Sequence, residues 1–460
     1  MKLVLIRSFG SPVPSYDQWM SQARLIYVPF FDHYLKVRYF WVPHNEHRVV
    51  FTRLLNFFLT LANGQWDTRL EMTVNALIHA GFAGALVAFA SRLVRGWGLA
   101  AVAAVVVAVF VVPGAWENTL GGFQSAFYFL CWSALGQLWL CTTAKPLDRR
   151  WWCGYVVGLM GLGTMGTGFL SSAAVLAILC LGVLRDRRMA SRDAGAAILL
   201  AGLCAAGAFL LSHHVPGADI YRATSLRVGL GSAAYAFGWP LGRSLAGALC
   251  VQAPLAWLAL RLIRGRQASA FEWTLLGLGI WGWVQMGALA YTRATAIETP
   301  RYADVFALSL IANTLALVCL VGGKRFAPAV LAIWLALLAG GLAGVTTRAL
   351  ADLRDYRALE TVKAQHIQAF MTTGDVAILR SAPPRELPYP DPDTLARMLT
   401  NPGLRPMLPR ELQAPADWRG YGLDSMASNT LQACALWIAS LGVLLAGLGA
   451  LQLRRRAGRT

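Results

Sequence analysis

Ionisable residues are scarce in the long central part of this 460-residue chain. Between residues 73 and 346, extended apolar runs hold almost no Asp, Glu, Lys or Arg, and the charges gather in the connections. The chain is 57% hydrophobic, with a mean hydropathy of +0.50. Because a spanning helix needs about 20 mainly apolar residues, the sequence predicts an all-α polytopic membrane protein. The scarcity of charge inside the runs argues against an ion-coupled machine, which uses acids and bases within its spans.

Cysteine motifs are also missing, since the eight cysteines form no CxxC pair and lie in or beside apolar segments. Neither a disulfide framework nor a thiolate metal site is therefore indicated. The formal net charge of +18 does not indicate a nucleic-acid partner, because Lys and Arg occur in short clusters between apolar runs and form no basic domain. This distribution is typical of the positive-inside pattern of membrane proteins.

We predict about eleven spans, near residues 73–91, 98–113, 123–143, 151–165, 169–184, 195–213, 244–261, 271–291, 304–322, 328–346 and 431–452. Basic clusters such as Arg185, Arg187, Arg188 and Arg192, or Lys324 and Arg325, fall on alternate connections. The positive-inside rule assigns these connections to the cytoplasm.

Four regions follow from this topology. Residues 1–72 form the first outer loop, 73–346 the transmembrane bundle, 347–430 an extracytoplasmic cap, and 431–460 the last span with a basic cytoplasmic tail. Within the first loop, residues 15–31 and 49–62 are amphipathic and predict helices lying in the membrane interface. Residues 352–371 predict an amphipathic helix, and the following proline-rich stretch predicts a loop-rich cap. We also expect that a spanning helix before the first loop is missing and that the chain starts truncated; the alternative is that the first full span translocates the N-terminal stretch.

Two polar groups stand out in the first loop. Asp17, in SYDQW, opens an interfacial helix and can act as a general base; alternatively it only stabilises the helix N-terminus. The segment PHNEHR places His44, Glu46, His47 and Arg48 together. It is either a solvated polar turn or a ligand-binding cluster. If the protein binds a divalent metal, His44, Glu46 and His47 are the candidate ligands; the pattern demands no cofactor.

Two further groups lie on predicted outer connections. WENTLGGFQ contains Glu117, Asn118 and Gln124 around two glycines that allow close backbone approach, although Asn and Gly also simply close turns. TPRYAD contains Arg301, whose guanidinium suits phosphate oxygens, and Tyr302, whose ring suits the headgroup level. A snorkelling Arg beside an aromatic belt is the alternative. Arg293 and the pair His213 and His214 lie on the same predicted face.

In their order along the chain, YDQW, HNEHR, ENTLGGFQ and PRY resemble the GT-C superfamily of polyprenyl-phosphate-sugar-dependent glycosyltransferases, in an uncharacterised bacterial branch. The architecture is similar over roughly residues 1–346, while the motifs cover about thirty residues. Two features depart from the family: many members carry paired acids where this chain has Tyr16, Asp17 and Gln18, and the helix expected before the first loop is missing.

The resemblance implies a GT-C-like bundle and an inverting sugar transfer at the outer face of a bacterial inner membrane. Asp17 is then the catalytic base. Arg301 holds the donor phosphate, with Arg48, His44, His47 and Tyr302. Glu46, Glu117, Asn118 and Gln124 bind sugar or acceptor hydroxyls. The partners are a polyprenyl-phosphate sugar, a lipid-linked or envelope glycan acceptor, and membrane lipids. A flippase or transporter of a lipid-linked glycan and a non-catalytic membrane scaffold are the alternative functions.

Overall fold

The computed structural model describes residues 1–187, 189–211, 217–265 and 268–413. This part of the chain is helical and contains no β-strand. Its α-helices are α1 (Lys2–Phe9), α2 (Val28–Phe31), α3 (Arg38–Trp41), α4 (Val50–Asn63), α5 (Thr68–Ala90), α6 (Gly96–Val111), α7 (Trp116–Leu120), α8 (Ser125–Thr143), α9 (Arg149–Gly161), α10 (Leu170–Asp186), α11 (Ser191–Leu211), α12 (Leu226–Gly238), α13 (Leu245–Arg264), α14 (Ala270–Thr292), α15 (Ala303–Val321), α16 (Ala327–Thr373), α17 (Ala377–Ser381) and α18 (Pro392–Leu399). A π-helix spans Trp19–Tyr27, and short 3-10 turns include Gly122–Gln124 and Pro300–Tyr302.

Within the described residues, six helical segments are long and apolar enough to cross a membrane. They are Thr68–Ala90, Gly96–Leu120, Ser191–Leu211, Leu245–Arg264, Pro300–Val321 and Ala327–Thr373. The predicted multi-pass helical character is therefore supported, whereas the count of about eleven spans is not confirmed. Two of the predicted spans correspond to α9 and α10, which have only 13 and 17 residues and are short for a crossing. The predicted span 431–452 lies outside the described residues.

The bundle is organised around α15, of which nearly every residue is buried. Glycines allow neighbouring helices to approach closely, as is common where helices pack in lipid. A Cβ at Gly279 of α14 would lie 2.0 Å from the Leu255 side chain of α13, and one at Gly158 of α9 would lie 2.2 Å from Gln137 of α8. Capping residues fix where long helices begin. Asp67 accepts the backbone N–H groups of Arg69 and Leu70 at the start of α5.

A second hydrophobic core joins two segments that are far apart in sequence. The Trp66 ring packs edge to face with Trp19 and with Tyr27, with a centroid distance of 5.1 Å in each pair. The same core contains residues of the 367–412 stretch such as Leu379 and Leu395. The predicted first loop and the predicted cap are therefore one packed unit. We call it the cap unit, comprising residues 13–66 and 367–412.

The helix α16 connects the bundle to the cap unit without a break. It has 47 residues, which corresponds to a length of roughly 70 Å at 1.5 Å per residue. The predicted boundary at residue 347 is thus not a boundary between helices, because the predicted span 328–346 and the predicted amphipathic helix 352–371 belong to the same helix. We call the end of the bundle at which α15 begins the capped end. The opposite end, with Arg261 and Lys324, is the basic end.

Candidate functional site

A cavity of about 190 Å³ lies at the capped end, where the first loop meets α8, α14 and the start of α15. Several residues selected from the sequence line it together: Asp17, His44, Glu46, His47, Gln124, Arg301 and Tyr302. Its remaining lining is mainly apolar and includes Phe127, Leu130, Leu289 and Val305. The cavity therefore combines a charged side with an apolar side that the bundle contributes.

Asp17 lies at the beginning of the helix that continues into the π-helix Trp19–Tyr27. Its carboxylate remains about one-third exposed, and its Oδ1 lies 3.0 Å from His44 Nε2. Burial alone would raise the pKa of this carboxyl, but the contact with His44 and the positive charge of Arg301 together hold the pKa below its usual value. Asp17 is therefore ionised at neutral pH, which is the form of a carboxyl group that can accept a proton.

The residues around Asp17 are fixed by the cap unit and by α5. The Tyr16 backbone N–H donates to the Pro388 carbonyl at 2.6 Å, and Lys363 of α16 lies 4.9 Å from the centre of the Tyr16 ring. Gln18 Nε2 donates to the buried Glu71 carboxylate at 2.7 Å. Contacts from three distant parts of the chain thus set the position of the carboxylate.

His44 and His47 are held in a tight turn, because the backbone N–H of each donates to the carbonyl of the other at 2.8 and 2.9 Å. His47 Nδ1 accepts the Gly166 N–H at 3.0 Å. Burial and the neighbouring His44 lower the pKa of His47 to about 4. His47 is therefore neutral at pH 7, and because Nδ1 accepts a hydrogen bond, its proton sits on Nε2.

Two arginines at this site are each held by a carboxylate. Arg301, on the turn Pro300–Tyr302, donates from Nε to Glu117 Oε2 at 2.8 Å. Arg293, at the end of α14, forms an ion pair with Glu46 and lies 5.6 Å from the centre of the Tyr221 ring. Since each guanidinium has five N–H donors, both retain donors beyond these pairs.

Three residues selected from the sequence do not line the cavity. Glu117 and the fully buried Asn118 lie behind Arg301: Asn118 Nδ2 donates to the Arg301 carbonyl at 2.8 Å and to Asp304 Oδ2 at 2.9 Å. Arg48 instead donates to the Leu210 carbonyl at 3.4 Å. In this structure Glu117 and Asn118 position Arg301. Direct contact of Glu117, Asn118 and Arg48 with substrate stays a prediction.

The three candidate metal ligands His44, Glu46 and His47 do not converge. His44 faces Asp17, Glu46 pairs with Arg293, and His47 accepts from Gly166. Across the part of the chain that the structure describes, no group of three or more His, Cys, Asp or Glu side chains is arranged to hold a metal ion. The pair His213 and His214 lies outside the described residues.

Sequence reasoning missed Arg53 and gave little weight to Arg293. Arg53 is fully buried in α4; its Nε donates to Ser21 Oγ at 2.8 Å and its Nη1 to the Val42 carbonyl at 2.5 Å. Arg53 thus ties Val42, just before the turn His44–His47 (the histidine turn), to Ser21 of the π-helix. An Arg in an amphipathic helix ordinarily indicates the solvent face, so the sequence holds no signal for this inward orientation.

More charge is buried next to the bundle than the sequence suggested. His79 Nε2 of α5 lies 3.5 Å from Asp304 Oδ1 of α15, and Lys2 donates to Thr119 Oγ1 and to the Tyr128 hydroxyl. These side chains lie near the capped end: Lys2 links α1 to α7 and α8, and the contact between His79 and Asp304 links α5 to α15.

Comparison of the chain with protein-family models, with curated proteins and with solved structures finds no match.

Proposed function

We propose that this protein is an inverting glycosyltransferase that moves a sugar from a polyprenyl-phosphate donor to a lipid-linked or envelope glycan acceptor. The observation that carries the proposal is the Asp17 carboxylate 3.0 Å from His44 Nε2, in a cavity that also contains Arg301 and lies at one end of a bundle with helices long and apolar enough to cross a membrane. A base and an anion-binding group at a membrane surface suit a reaction on a lipid-linked headgroup.

In the proposed reaction, the acceptor hydroxyl oxygen attacks the anomeric carbon of the donor sugar while Asp17 takes the hydroxyl proton. The bond between the anomeric carbon and the phosphate oxygen breaks, and polyprenyl phosphate leaves with the electron pair. Attack from the face opposite the leaving group inverts the anomeric carbon. His44, 3.0 Å from Asp17, orients the base.

The leaving phosphate gains negative charge, and Arg301 is placed to stabilise it. Stabilisation of this kind typically contributes about 3–4 kcal/mol per donor. Arg293 is a second cation on the cavity wall, and His47 Nε2–H and the Tyr302 hydroxyl are further donors. Gln124 is placed to bind sugar or acceptor hydroxyls, whereas Glu46 holds Arg293 on the cavity wall. The apolar residues of the lining, such as Phe127 and Val305, receive the first isoprene units.

The location follows from the same proposal. The donor and acceptor would meet at the outer face of a bacterial inner membrane, with the cap unit covering the cavity on the outside. Both parts of the cap unit pack together, which supports assigning both of them to the same side of the membrane in this proposal. The basic end would then face the cytoplasm, in agreement with the positive-inside rule.

The test is an assay of the purified protein in detergent with a panel of polyprenyl-phosphate sugars and mixed glycan acceptors. We expect one donor to be consumed, polyprenyl phosphate to be released, and the product to carry the opposite anomeric configuration. Retention of configuration would contradict the in-line role of Asp17. Absence of turnover with every donor, in protein that folds and binds them, would contradict the transferase itself.

One observation favours a second function, transport of a lipid-linked glycan. His79 and Asp304 are ionisable, lie in two candidate spans and face each other, and such residues often mark a substrate path. Flux of a labelled lipid-linked glycan across sealed vesicles, without covalent change and dependent on His79, would establish this function. The scaffold alternative predicts that substitutions in the cavity leave the cellular phenotype unchanged.

A further inference from the structure

A second, larger cavity of about 680 Å³ lies at the basic end, far along α15 from the Asp17 site. It is a groove between α13, α15 and α16, and its walls include Trp257, Leu317, Ile333 and Leu337. All three helices belong to the segments that are long and apolar enough to cross a membrane. Trp257 and Ile333 are 66% and 63% exposed, so the groove opens to the outside of the bundle.

Two cations lie at one end of this apolar groove. Arg261 is the last-turn residue of α13 and is held by an ion pair with Glu272. Lys324, after the end of α15, contacts the Phe326 ring at 5.5 Å and forms no ion pair among the described residues. The groove is therefore apolar along its length and cationic at its end, with Lys324 available to an anion.

We propose that this groove is a binding site for an anionic phospholipid. One acyl chain lies along the walls formed by α13, α15 and α16, and the phosphate sits against Lys324 and Arg261. Basic pockets between transmembrane helices are suited to anionic headgroups, and the geometry here pairs such a pocket with a groove that accepts a hydrocarbon chain. The groove and the Asp17 cavity share no lining residue, so a lipid bound here takes no direct part in the proposed chemistry.

Native mass spectrometry of delipidated protein tests the headgroup. Phosphatidylglycerol and phosphatidylethanolamine with identical acyl chains are added in parallel, and we expect preferential retention of phosphatidylglycerol. Lys324→Glu should weaken that binding about tenfold, and Lys324→Gln by less. The matched control is Lys145→Glu, an exposed lysine on another connection, which should change little. Equal retention of both lipids, or equal losses in the two charge reversals, would overturn the proposal.

The acyl-chain part is tested by filling the groove. Ile333→Trp should weaken retention of phosphatidylglycerol, whereas Ile198→Trp, at a position of α11 that is 72% exposed and outside the groove, should not. Glycerol phosphate, which carries the charge without the chain, should fail to compete. Full competition by glycerol phosphate together with normal binding to Ile333→Trp would show a bare anion site and overturn the lipid assignment. None of these measurements needs sugar transfer, so their outcome is independent of the proposed enzyme.

Discussion

The two ends of α15 differ in how completely their charged side chains are paired. At the capped end, Asp17, Arg293 and Arg301 are each matched with a side chain of opposite or complementary charge. At the basic end, Arg261 pairs with Glu272, whereas Lys324 and Arg325 are exposed and form no ion pair among the described residues. Removing charges from water costs several kcal/mol per ion unless partners compensate. At the capped end, the partners offset this cost and also fix the positions of the charged side chains. The exposed cations at the basic end are stabilised by water or lipid headgroups instead.

This difference predicts where a substitution affects turnover and where it affects only lipid binding. Side chains at the capped end are ordered by contacts from several helices, so a change there alters a defined geometry. Side chains at the basic end have few contacts to lose. The following substitutions test this contrast, and the largest expected effect comes first.

Asp17→Asn should lower sugar transfer by about 10²–10⁴-fold, since Asn cannot accept the proton and general-base catalysis typically contributes that factor. The side chain keeps its size, so the thermal unfolding midpoint should change little. The control is Asp355→Asn, an exposed acid on α16, which should transfer sugar at the normal rate. Normal turnover by Asp17→Asn would remove this residue from the mechanism.

Arg301→Gln should lower the rate by about 10²–10³-fold, because it removes a charged donor from the leaving phosphate. Arg301→Lys should recover only part of the activity, since an ammonium lacks the planar fork of the guanidinium. At the other end of α15, Arg325→Gln should leave turnover unchanged. Similar losses at the two ends would show that Arg301 acts through overall charge and not through its position at the cavity.

The membrane class could be predicted from the sequence because it depends on composition: long apolar runs separated by basic connections. The sequence also predicted that Asp17, the histidine turn and Arg301 lie together, because all of them fall on connections assigned to the outer face of the membrane. What could not be predicted depends on packing between distant segments. Nothing local shows that α16 continues through residue 347, because its apolar and amphipathic parts are each compatible with a separate helix.

The supporting contacts of the site were hidden for the same reason. Glu71 looks like an ordinary acid in the first turn of α5, yet it is buried and accepts from Gln18. Glu46 and Glu117 looked like ligands for hydroxyl groups, and both pair with arginines. Sequence can select the polar residues of a face, but which of them contact each other depends on three-dimensional distances.

Glu46→Gln should lower turnover about tenfold, because Arg293 loses the carboxylate that holds it on the cavity wall. If the pair acts as a unit, Arg293→Gln and the double substitution should lose about as much as either single one. Contacting pairs of this kind show coupling of about 0.5–3 kcal/mol. The matched pair at the basic end is Arg261 and Glu272, for which Glu272→Gln should not alter turnover. Additive losses for Glu46 and Arg293 would show that they act separately.

The smallest effect concerns stability at acidic pH. The pKa of His47 is about 4 in the folded protein, against 6.5 for a solvent-exposed histidine such as that of the unfolded chain. Between these two pH values, the unfolded chain therefore binds a proton that the folded protein does not. Stability from neutral His47 is complete above pH 6.5 and falls as the pH drops towards 4. His47→Asn keeps an acceptor for the Gly166 N–H and removes this titration. Between pH 7 and 5, its unfolding midpoint should fall by about 2–4 °C less than that of the natural protein. The exposed His33→Asn control should follow the natural protein, and an unchanged pH dependence in His47→Asn would show that the cavity tolerates a charged imidazole.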